Sequence, residues 1–284
     1  MKNLKENVMK VVFALTATLS IISVILICVF LFANAVPTIR EIGISKFLLG
    51  KTWSPFSDIY GIFPMIIGSI YVTALSALFG VPIGLLTAIF LAKFCNKKLY
   101  KILKPAVDLL AGIPSVVYGF FGLMVIVPLV REVIGGQGQS LIAASLVLGI
   151  MILPTVISVS EAAIRAVPDT YYEGSLALGA THEMSVFKTV VPAAKSGILA
   201  ATVLGIGRAI GETMAVIMVA GNQAMIPKKL SQGVRTMTAN IVLEMGYAAD
   251  LHRDALIATA AELFVFILII NLSVMVIKGK VVKE

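Results

Sequence analysis

The sequence has 284 residues, of which 59% are hydrophobic and 13% are charged, and its mean hydropathy is +1.01. Soluble domains carry about 25% charged residues, so this composition argues against an ordinary soluble globular domain. The net charge of +8 lies in segments between long apolar stretches. This distribution is typical of a membrane protein that follows the positive-inside rule and not of a nucleic-acid-binding surface. We therefore expect an all-α, polytopic helical membrane protein with no nucleic-acid partner.

Six apolar stretches are long enough to form helices that cross about 30 Å of hydrocarbon. They predict transmembrane helices over residues 11–33, 64–92, 109–130, 141–160, 197–221 and 255–277. The first stretch is longer than the roughly 7–15 residues of a signal-peptide core, so we expect an uncleaved helix. Pro64 and Pro82 predict a kink or a late start in the second helix. Gly112 and Pro114 predict that the third helix is broken or closely packed.

Lysine and arginine residues are distributed unevenly between the two sides of these helices. With the N-terminus in the cytoplasm, 14 of them fall in inside segments and 8 in outside segments, while Arg208 lies within a span. The densest group follows the second helix and consists of Lys93, Lys97, Lys98, Lys101 and Lys104. The positive-inside rule then predicts a multi-pass protein of the cytoplasmic membrane with both termini in the cytoplasm, although basic residues in the outside segment 228–254 oppose the rule.

The residue types that most often carry chemistry are few and scattered. Cys28 and Cys95 are expected at different depths, which disfavours a disulfide. His182 and His252 fall in different loops and form no cluster of metal ligands. The chain has no H-E-x-x-H motif and no evident set of nucleophile and base. We therefore expect no catalytic residue, no metal and no cofactor, which argues against an intramembrane enzyme.

The longest inside loop carries two helix signals. Thr170 and Glu173 match an S/T-x-x-E capping box. Gly179 can occupy the C′ position that ends a helix, so we expect a short helix over residues 171–178. A second short helix is expected over residues 181–190.

The spacing of Glu173, Gly179 and Pro192 in this loop resembles the E-A-A---G---------I-LP signature of ABC importer permeases. The residues that depart from the signature are small or apolar: Gly174, Ser175, Thr189 and Val191. In that family the loop forms a coupling helix that docks into a groove of a separate ATP-binding subunit. The resemblance therefore implies an ATPase-coupling role for Thr170, Glu173, Gly179 and Pro192.

Four further segments narrow the resemblance to one group of permeases. They read LAGIPSVVYG over 110–119, MILPT over 151–155 with RAVP over 165–168, SLALGAT over 175–181 and LGIGRAIGETMAV over 204–216. Together they resemble the phosphate-specific ABC importer permeases over about residues 60–276. The stretch Glu212-Thr213-Met214-Ala215-Val216, with Gly221-Asn222, is similar to the C-type subunit, whereas the A-type subunit tends to read alanine-proline after the threonine.

The resemblance implies a MetI-like permease fold in three parts. These are an N-terminal helix with an external segment over 1–60, a permease core over 61–277 that contains the coupling loop 161–196, and a cytoplasmic tail over 278–284. The implied function is translocation of inorganic phosphate, with ATP hydrolysis on a partner subunit. The implied partners are a sister phosphate permease in a heterodimer, an ATP-binding subunit dimer and an extracytoplasmic phosphate-binding protein. The A-type subunit, a permease for another oxyanion and a scaffold or sensor subunit are the alternatives.

Two ionisable residues interrupt the fifth predicted span. Arg208 and Glu212 are four residues apart and would share one helix face, where an ionised side chain at the bilayer centre costs at least about 2.5–3.5 kcal/mol. They are either a mutually satisfied structural pair or part of the substrate pathway, in which the guanidinium fork of Arg208 would bind phosphate oxygens. Gly207 and Gly211 form a small-xxx-small pattern that predicts close packing against the partner permease or a neighbouring span.

Overall fold

Helices form nearly all the regular structure of the chain. The computed structural model describes residues 2–281, with side chains from residue 6 to residue 273. The last helix, α14, runs from Asp250 to Val281. The expected tail 278–284 therefore begins inside a helix, and residues 282–284 lie outside the described range.

Five helices in the described part of the chain are long and apolar enough to cross a membrane. They are Glu6–Ile42 within α1 (Lys2–Ile42), Phe63–Phe94, Ser115–Ile134, α7 (Leu141–Arg165) and Asp250–Ser273 within α14. They correspond to the first four and the last of the six predicted spans. A sixth span results if the helices over 182–193 and 195–211, which are bent by 69° relative to each other, count as one.

Proline interrupts the third predicted span but not the second. The second consists of α3 (Phe63–Ile89) and a π-helical turn (Phe90–Phe94), and α3 continues through Pro82. The third is broken, as Gly112 and Pro114 predicted. There α4 (Lys97–Gly112) ends, and α5 (Ser115–Phe121) starts after two extended residues. A π-helical turn (Gly122–Ile126) then leads from α5 into α6 (Val127–Ile134).

The fifth predicted span, 197–221, is not one continuous helix. It is divided into α11 (Lys195–Gly211) and α12 (Met214–Val219), with Glu212 and Thr213 between them in non-helical conformation. The prediction of an unbroken span was therefore wrong. Hydropathy identifies an apolar segment but does not register a break of two residues inside it.

The remaining elements are short. In chain order they are α2 (Ile44–Leu49), β1 (Trp53–Ser54), a 3-10 turn (Pro55–Ser57), β2 (Ile59–Tyr60), α8 (Asp169–Ala177), α9 (His182–Ser185), a π-helical turn (Val186–Val190), α10 (Val191–Ala193) and α13 (Met237–Met245). The strands β1 and β2 pair antiparallel, with Trp53 opposite Tyr60, and form a small hairpin.

The centre of the helical core is α7, which packs between α3 and α11. Its Ile152 and Val156 are fully buried, and glycines on the neighbouring helices make room for them. A Cβ added at Gly80 of α3 would lie 2.7 Å from Ile152, and one added at Gly205 of α11 would lie 2.9 Å from Val156. Small residues of this kind let helices approach closely in a membrane.

Apolar clusters at the two ends of α3 organise the loops. The cluster at its start contains residues of the hairpin, α13 and α14: Trp53, Tyr60, Met237, Ala255 and Leu256. The cluster at its end contains residues of α3, of the end of α7 and of the segment after α7: Ala88, Ile89, Ile164, Val186 and Val190. We call the first the hairpin end of the molecule and the second, which adjoins residues 93–104, the lysine-rich end.

Candidate substrate pathway and coupling segment

Arg208 lies on the face of α11 that does not pack on the rest of the chain. The buried residues of α11 are Ala201, Gly205, Ala209 and Ile210. Arg208 and Leu204 are both exposed. A guanidinium within an apolar helix is costly unless it contacts water, a counter-ion or another protein chain. This face therefore borders an aqueous path or a second subunit.

Glu212 does not share a helix face with Arg208, because α11 ends at Gly211. Glu212 is extended (φ −70°, ψ 135°), and its Oε1 accepts a hydrogen bond from the backbone N–H of Ala215 at 3.2 Å. No ion pair joins Arg208 and Glu212 in the part of the chain that the structure describes. The expected shared face was wrong, since four-residue spacing aligns side chains only where the helix continues.

The break after α11 is held in place by close packing of α12. A Cβ added at Gly119 of α5 would lie 2.9 Å from the Cα of Ala215, so α5 and α12 are in backbone contact there. The carbonyl of Glu212 accepts a hydrogen bond of 3.0 Å from the hydroxyl of Thr238. The α11–α12 junction is thus fixed by packing and hydrogen bonding and is not a frayed helix end.

Gly207 and Gly211 make no close contact within this chain. A Cβ added at either position would meet no other described atom within 4 Å. Gly205, in contrast, packs closely on α7, where an added Cβ would lie 2.9 Å from Val156. The close packing of Gly207 and Gly211 against the partner permease or a neighbouring span stays a prediction.

The first helix of the coupling loop is α8, and it starts earlier than predicted. Pro168 is its N-cap residue, and no side chain caps its first turn. The capping box of Thr170 and Glu173 was wrong, because both residues lie inside the helix and not at its boundary. Thr170 and Glu173 are instead exposed to the surroundings.

The end of α8 is the one that the sequence predicted. Gly179 has φ +88°, and its N–H donates to the carbonyl of Leu176 at 2.9 Å. The N–H of Ala180 donates to the carbonyl of Ser175 at 3.2 Å. These two bonds define a Schellman motif with glycine at C′. The chain then turns, and the side chain of Thr181 caps the following helix.

The coupling segment, which we define as residues 169–193, is anchored to the lysine-rich end on one side and open on the other. Nζ of Lys93 lies 3.7 Å from Oδ1 of Asp169 and 5.6 Å from the centre of the Tyr172 ring. The open side carries exposed apolar and polar side chains, including Thr170, Tyr171, Glu173, Leu178, Met184, Phe187 and Pro192. Leu178 is 91% exposed, which is the property expected of a surface that a second protein covers.

Sequence reasoning missed a polar cluster at the hairpin end. The carboxylate of Glu244 accepts hydrogen bonds from Trp53 Nε1 at 2.8 Å and from Arg235 Nη1 at 2.6 Å, and it lies 2.9 Å from His252 Nε2. Burial, followed by the hydrogen bond to Asp58, raises the pKa of neighbouring Tyr60 to about 12. The residues come from three separate segments, so no local spacing could have grouped them.

A second buried carboxylate, Glu161, was also missed. It accepts a hydrogen bond of 2.7 Å from the hydroxyl of Tyr100, and this hydrogen bond, followed by burial, raises the pKa of Tyr100. Lys104 and Arg165 complete its surroundings. A charged residue near the end of an apolar helix is an available sequence signal, but it does not identify the partners.

Comparison with known proteins agrees with this architecture. The family model for the binding-protein-dependent transport system inner membrane component matches residues 80–283. The "Probable ABC transporter permease protein YqgH" of Bacillus subtilis is 41% identical over 236 residues, which cover 81% of this chain and 76% of the relative. The "Phosphate transport system permease protein PstC" of Haemophilus influenzae is 32% identical over 280 residues, which cover 92% of this chain and 89% of the relative.

Solved structures show the same fold at low sequence identity. An inward-facing conformation of the MetNI methionine ABC transporter matches with a TM-score of 0.64 at 21% identity, over 81% of this chain and 99% of that chain. A bacterial ABC transporter involved in alginate import matches with a TM-score of 0.64 at 17% identity, over 94% of this chain and 95% of that chain. With its apolar spanning helices, the chain is a multi-pass membrane protein that belongs to the family of binding-protein-dependent transport system inner membrane components.

Proposed function

We propose that this chain is the C-type permease subunit of an ABC importer for inorganic phosphate. The main support is the set of relatives named as phosphate transport permeases, which are about 32% identical over most of their length. The position of Arg208 on the unpacked face of α11 adds a physical reason. A permanently charged, planar guanidinium matches the oxygens of a tetrahedral anion.

In this proposal each partner contacts a different surface of the molecule. A sister phosphate permease would pack on the face of α11 that carries Gly207, Arg208 and Gly211. A dimer of ATP-binding subunits would contact the coupling segment through the exposed Thr170, Glu173, Gly179 and Pro192. An extracytoplasmic phosphate-binding protein would dock at the hairpin end, with both termini of this chain in the cytoplasm.

Arg208 and Glu212 have different roles in this proposal. Arg208 attracts the anion into the path between the two permeases. Glu212 lies at the helix break and opposes tight binding of an anion, so that phosphate passes through and is not trapped. Weak, competitive binding suits a conduit, because a site that held phosphate firmly would slow its release.

The experiment that tests this proposal is uptake of radiolabelled phosphate by membrane vesicles that contain the assembled complex. Arg208→Gln is expected to lower uptake at least about tenfold, because a charged hydrogen bond contributes about 1.5–3 kcal/mol and 1.4 kcal/mol corresponds to tenfold. Arg208→Lys should retain partial uptake, since a point charge replaces the fork. Uptake is normalised to the amount of inserted complex.

Two further variants separate the interpretations. Lys10→Gln changes an exposed lysine near the start of α1, outside the proposed partner surfaces, and should leave uptake unchanged. The double variant Arg208→Gln with Glu212→Gln should remain inactive, and recovery of uptake would instead support a structural pair. Near-normal phosphate uptake by Arg208→Gln would contradict the pathway role. Uptake of labelled sulfate in place of phosphate would favour a permease for another oxyanion.

A further inference from the structure

Glu161 is a buried carboxylate near the end of α7, eight residues before the coupling segment begins at Asp169. Its side chain is only 3% exposed. Oε1 accepts hydrogen bonds from the hydroxyl of Tyr100 at 2.7 Å and from Nε of Arg165 at 2.8 Å. Oε2 lies 3.3 Å from Nζ of Lys104. Charge-assisted bonds of this kind are about twice as strong as neutral ones and hold their partners in a defined geometry.

The partners of Glu161 connect three separate elements. Tyr100 and Lys104 belong to α4, and Arg165 is the last residue of α7. The guanidinium of Arg165 also donates to the backbone carbonyl of Leu91 in the π-helical turn after α3, at 2.8 Å, and lies 4.6 Å from the centre of the Tyr100 ring. The ends of α3 and α7 and the first half of α4 are therefore joined at one point.

The side of α4 away from this cluster is open. Its apolar residues Leu99, Ile102 and Leu109 are exposed, so α4 is positioned chiefly by its polar contacts with α7. Lys104 strengthens that attachment by donating to the hydroxyl of Ser158 in α7 at 2.9 Å, and this hydroxyl donates in turn to Asp108 of α4 at 3.3 Å. A helix attached on one side by a compact polar cluster can move as a unit with the element to which it is attached.

The other end of α4 reaches the candidate pathway. The carbonyl of Leu110 accepts a hydrogen bond of 2.8 Å from the hydroxyl of Tyr118 in α5. This bond crosses the break between the two helices. Gly119 of α5 is in backbone contact with Ala215 of α12, and Ala215 lies just after the junction that contains Glu212. A continuous set of contacts thus runs from the end of α7, which three residues separate from the coupling segment, through α4 to the α11–α12 break.

We propose that Glu161 is a positioning residue that fixes α4 to the end of α7, which leads directly into the coupling segment, so that displacement of this segment by the ATPase moves α4 and, through Tyr118, the helices beside the substrate path. The inference rests on the proposed function, because it requires an ATPase that contacts residues 169–193. Contact alone is not evidence of coupling, so the claim is tested by whether α4 responds to nucleotide.

The experiment places a reporter on α4 in the assembled complex. Cys28 and Cys95 are replaced by serine, and Ile102→Cys, at an exposed position, receives an environment-sensitive fluorophore. In the wild-type background, trapping with ATP and vanadate is expected to change the emission. In Glu161→Gln and in Tyr100→Phe, which removes one hydroxyl group, this change in emission should be at least about threefold smaller. Phosphate imported per ATP hydrolysed should fall similarly, while ATP hydrolysis continues.

The matched control is Lys101→Gln, which changes an exposed lysine on the same helix and should leave both readouts unchanged. A nucleotide response and a transport ratio of wild-type size in both Glu161→Gln and Tyr100→Phe would overturn the inference alone. If Glu161→Gln fails to assemble, the result with Tyr100→Phe decides. A wild-type complex that neither hydrolyses ATP nor imports phosphate would overturn the proposed function and, with it, the inference.

Discussion

Glu244 illustrates how single residues hold the hairpin end together. Its carboxylate receives bonds from Trp53 of β1 and from Arg235, and it contacts His252 of α14. Arg235 also donates to the backbone carbonyl of Asn222 at 2.9 Å. One carboxylate therefore ties the hairpin to the returning segment after α12 and to the last helix. Buried ion pairs are strongly destabilising to break, because the remaining charge is left without compensation.

The corresponding prediction is that Glu244→Gln destabilises the protein by about 3 kcal/mol. The amide would keep one acceptor but leave Arg235 without a counter-ion. The measurement is the thermal midpoint of the detergent-purified protein, which should fall clearly. Glu132→Gln, which changes an exposed glutamate of α6, is the control and should leave the midpoint unchanged. Equal midpoints for the two variants would show that the cluster contributes little to stability.

At the scale of elements, interactions at the C-terminal end of α8 stabilise this helix more than interactions at its N-terminal end. Gly174 and Gly179 both have open space around the position of a Cβ, but only Gly179 has a positive φ, +88°. An alanine in the left-handed region costs roughly 1–2 kcal/mol. The same substitution inside a helix stabilises it by about 0.5–1 kcal/mol. Substitution by alanine should therefore change the stability of α8 in opposite directions at Gly174 and Gly179.

We predict that Gly179→Ala destabilises α8 and that Gly174→Ala stabilises it. Hydrogen exchange of the α8 amides in the purified protein measures both effects. Exchange should be faster than wild type in Gly179→Ala and slower in Gly174→Ala. The same direction of change in both variants would argue against the Schellman motif as the stabilising feature.

The broken fifth span is the element that most changes the interpretation of the charges. Because α11 ends at Gly211, the carboxylate of Glu212 is free to bond to the N–H of Ala215. Arg208, still inside α11, is left exposed on the unpacked face. A continuous helix would have allowed the two charges to neutralise each other. The break separates them.

At the scale of the whole molecule, the loops separate into two groups. The hairpin and the segment 220–249 lie at one end of α3, while residues 93–104 and the coupling segment lie at the other. Alternation of the spanning helices produces this arrangement regardless of which end faces the cytoplasm. The orientation depends instead on the lysines that follow α3.

The orientation is tested with an impermeant thiol reagent. In a Cys28→Ser background, Cys95 should be labelled in inside-out vesicles and not in right-side-out vesicles. The matched variant carries Phe56→Cys at the tip of the hairpin, a fully exposed position, with both native cysteines replaced by serine. It should show the opposite pattern. Labelling of Cys95 in right-side-out vesicles would reverse the proposed topology.

Several properties of this protein were determined by the sequence alone. Long apolar stretches must cross a membrane whatever their neighbours are, so most spans and the helical class could be predicted. The spacing around Glu173, Gly179 and Pro192 identified the permease family. Gly179 was assigned correctly because a helix end is set by bonds within one turn. The beginning of α8 was assigned wrongly, because Thr170 and Glu173 match a capping pattern without lying at the boundary.

Only the tertiary structure determined which side chains the buried charged residues contact. Tyr100 and Glu161 are 61 residues apart in the chain, and Trp53 and Glu244 are 191 apart. Which of them meet depends on how α4, α7 and α13 pack, and no pattern within a few turns of helix carries that information. Beside the break that separates Glu212 from Arg208, α12 likewise contacts a distant segment, α5, at Gly119. Local sequence acts over a helical turn, whereas a buried charge is placed by the helices packed around it.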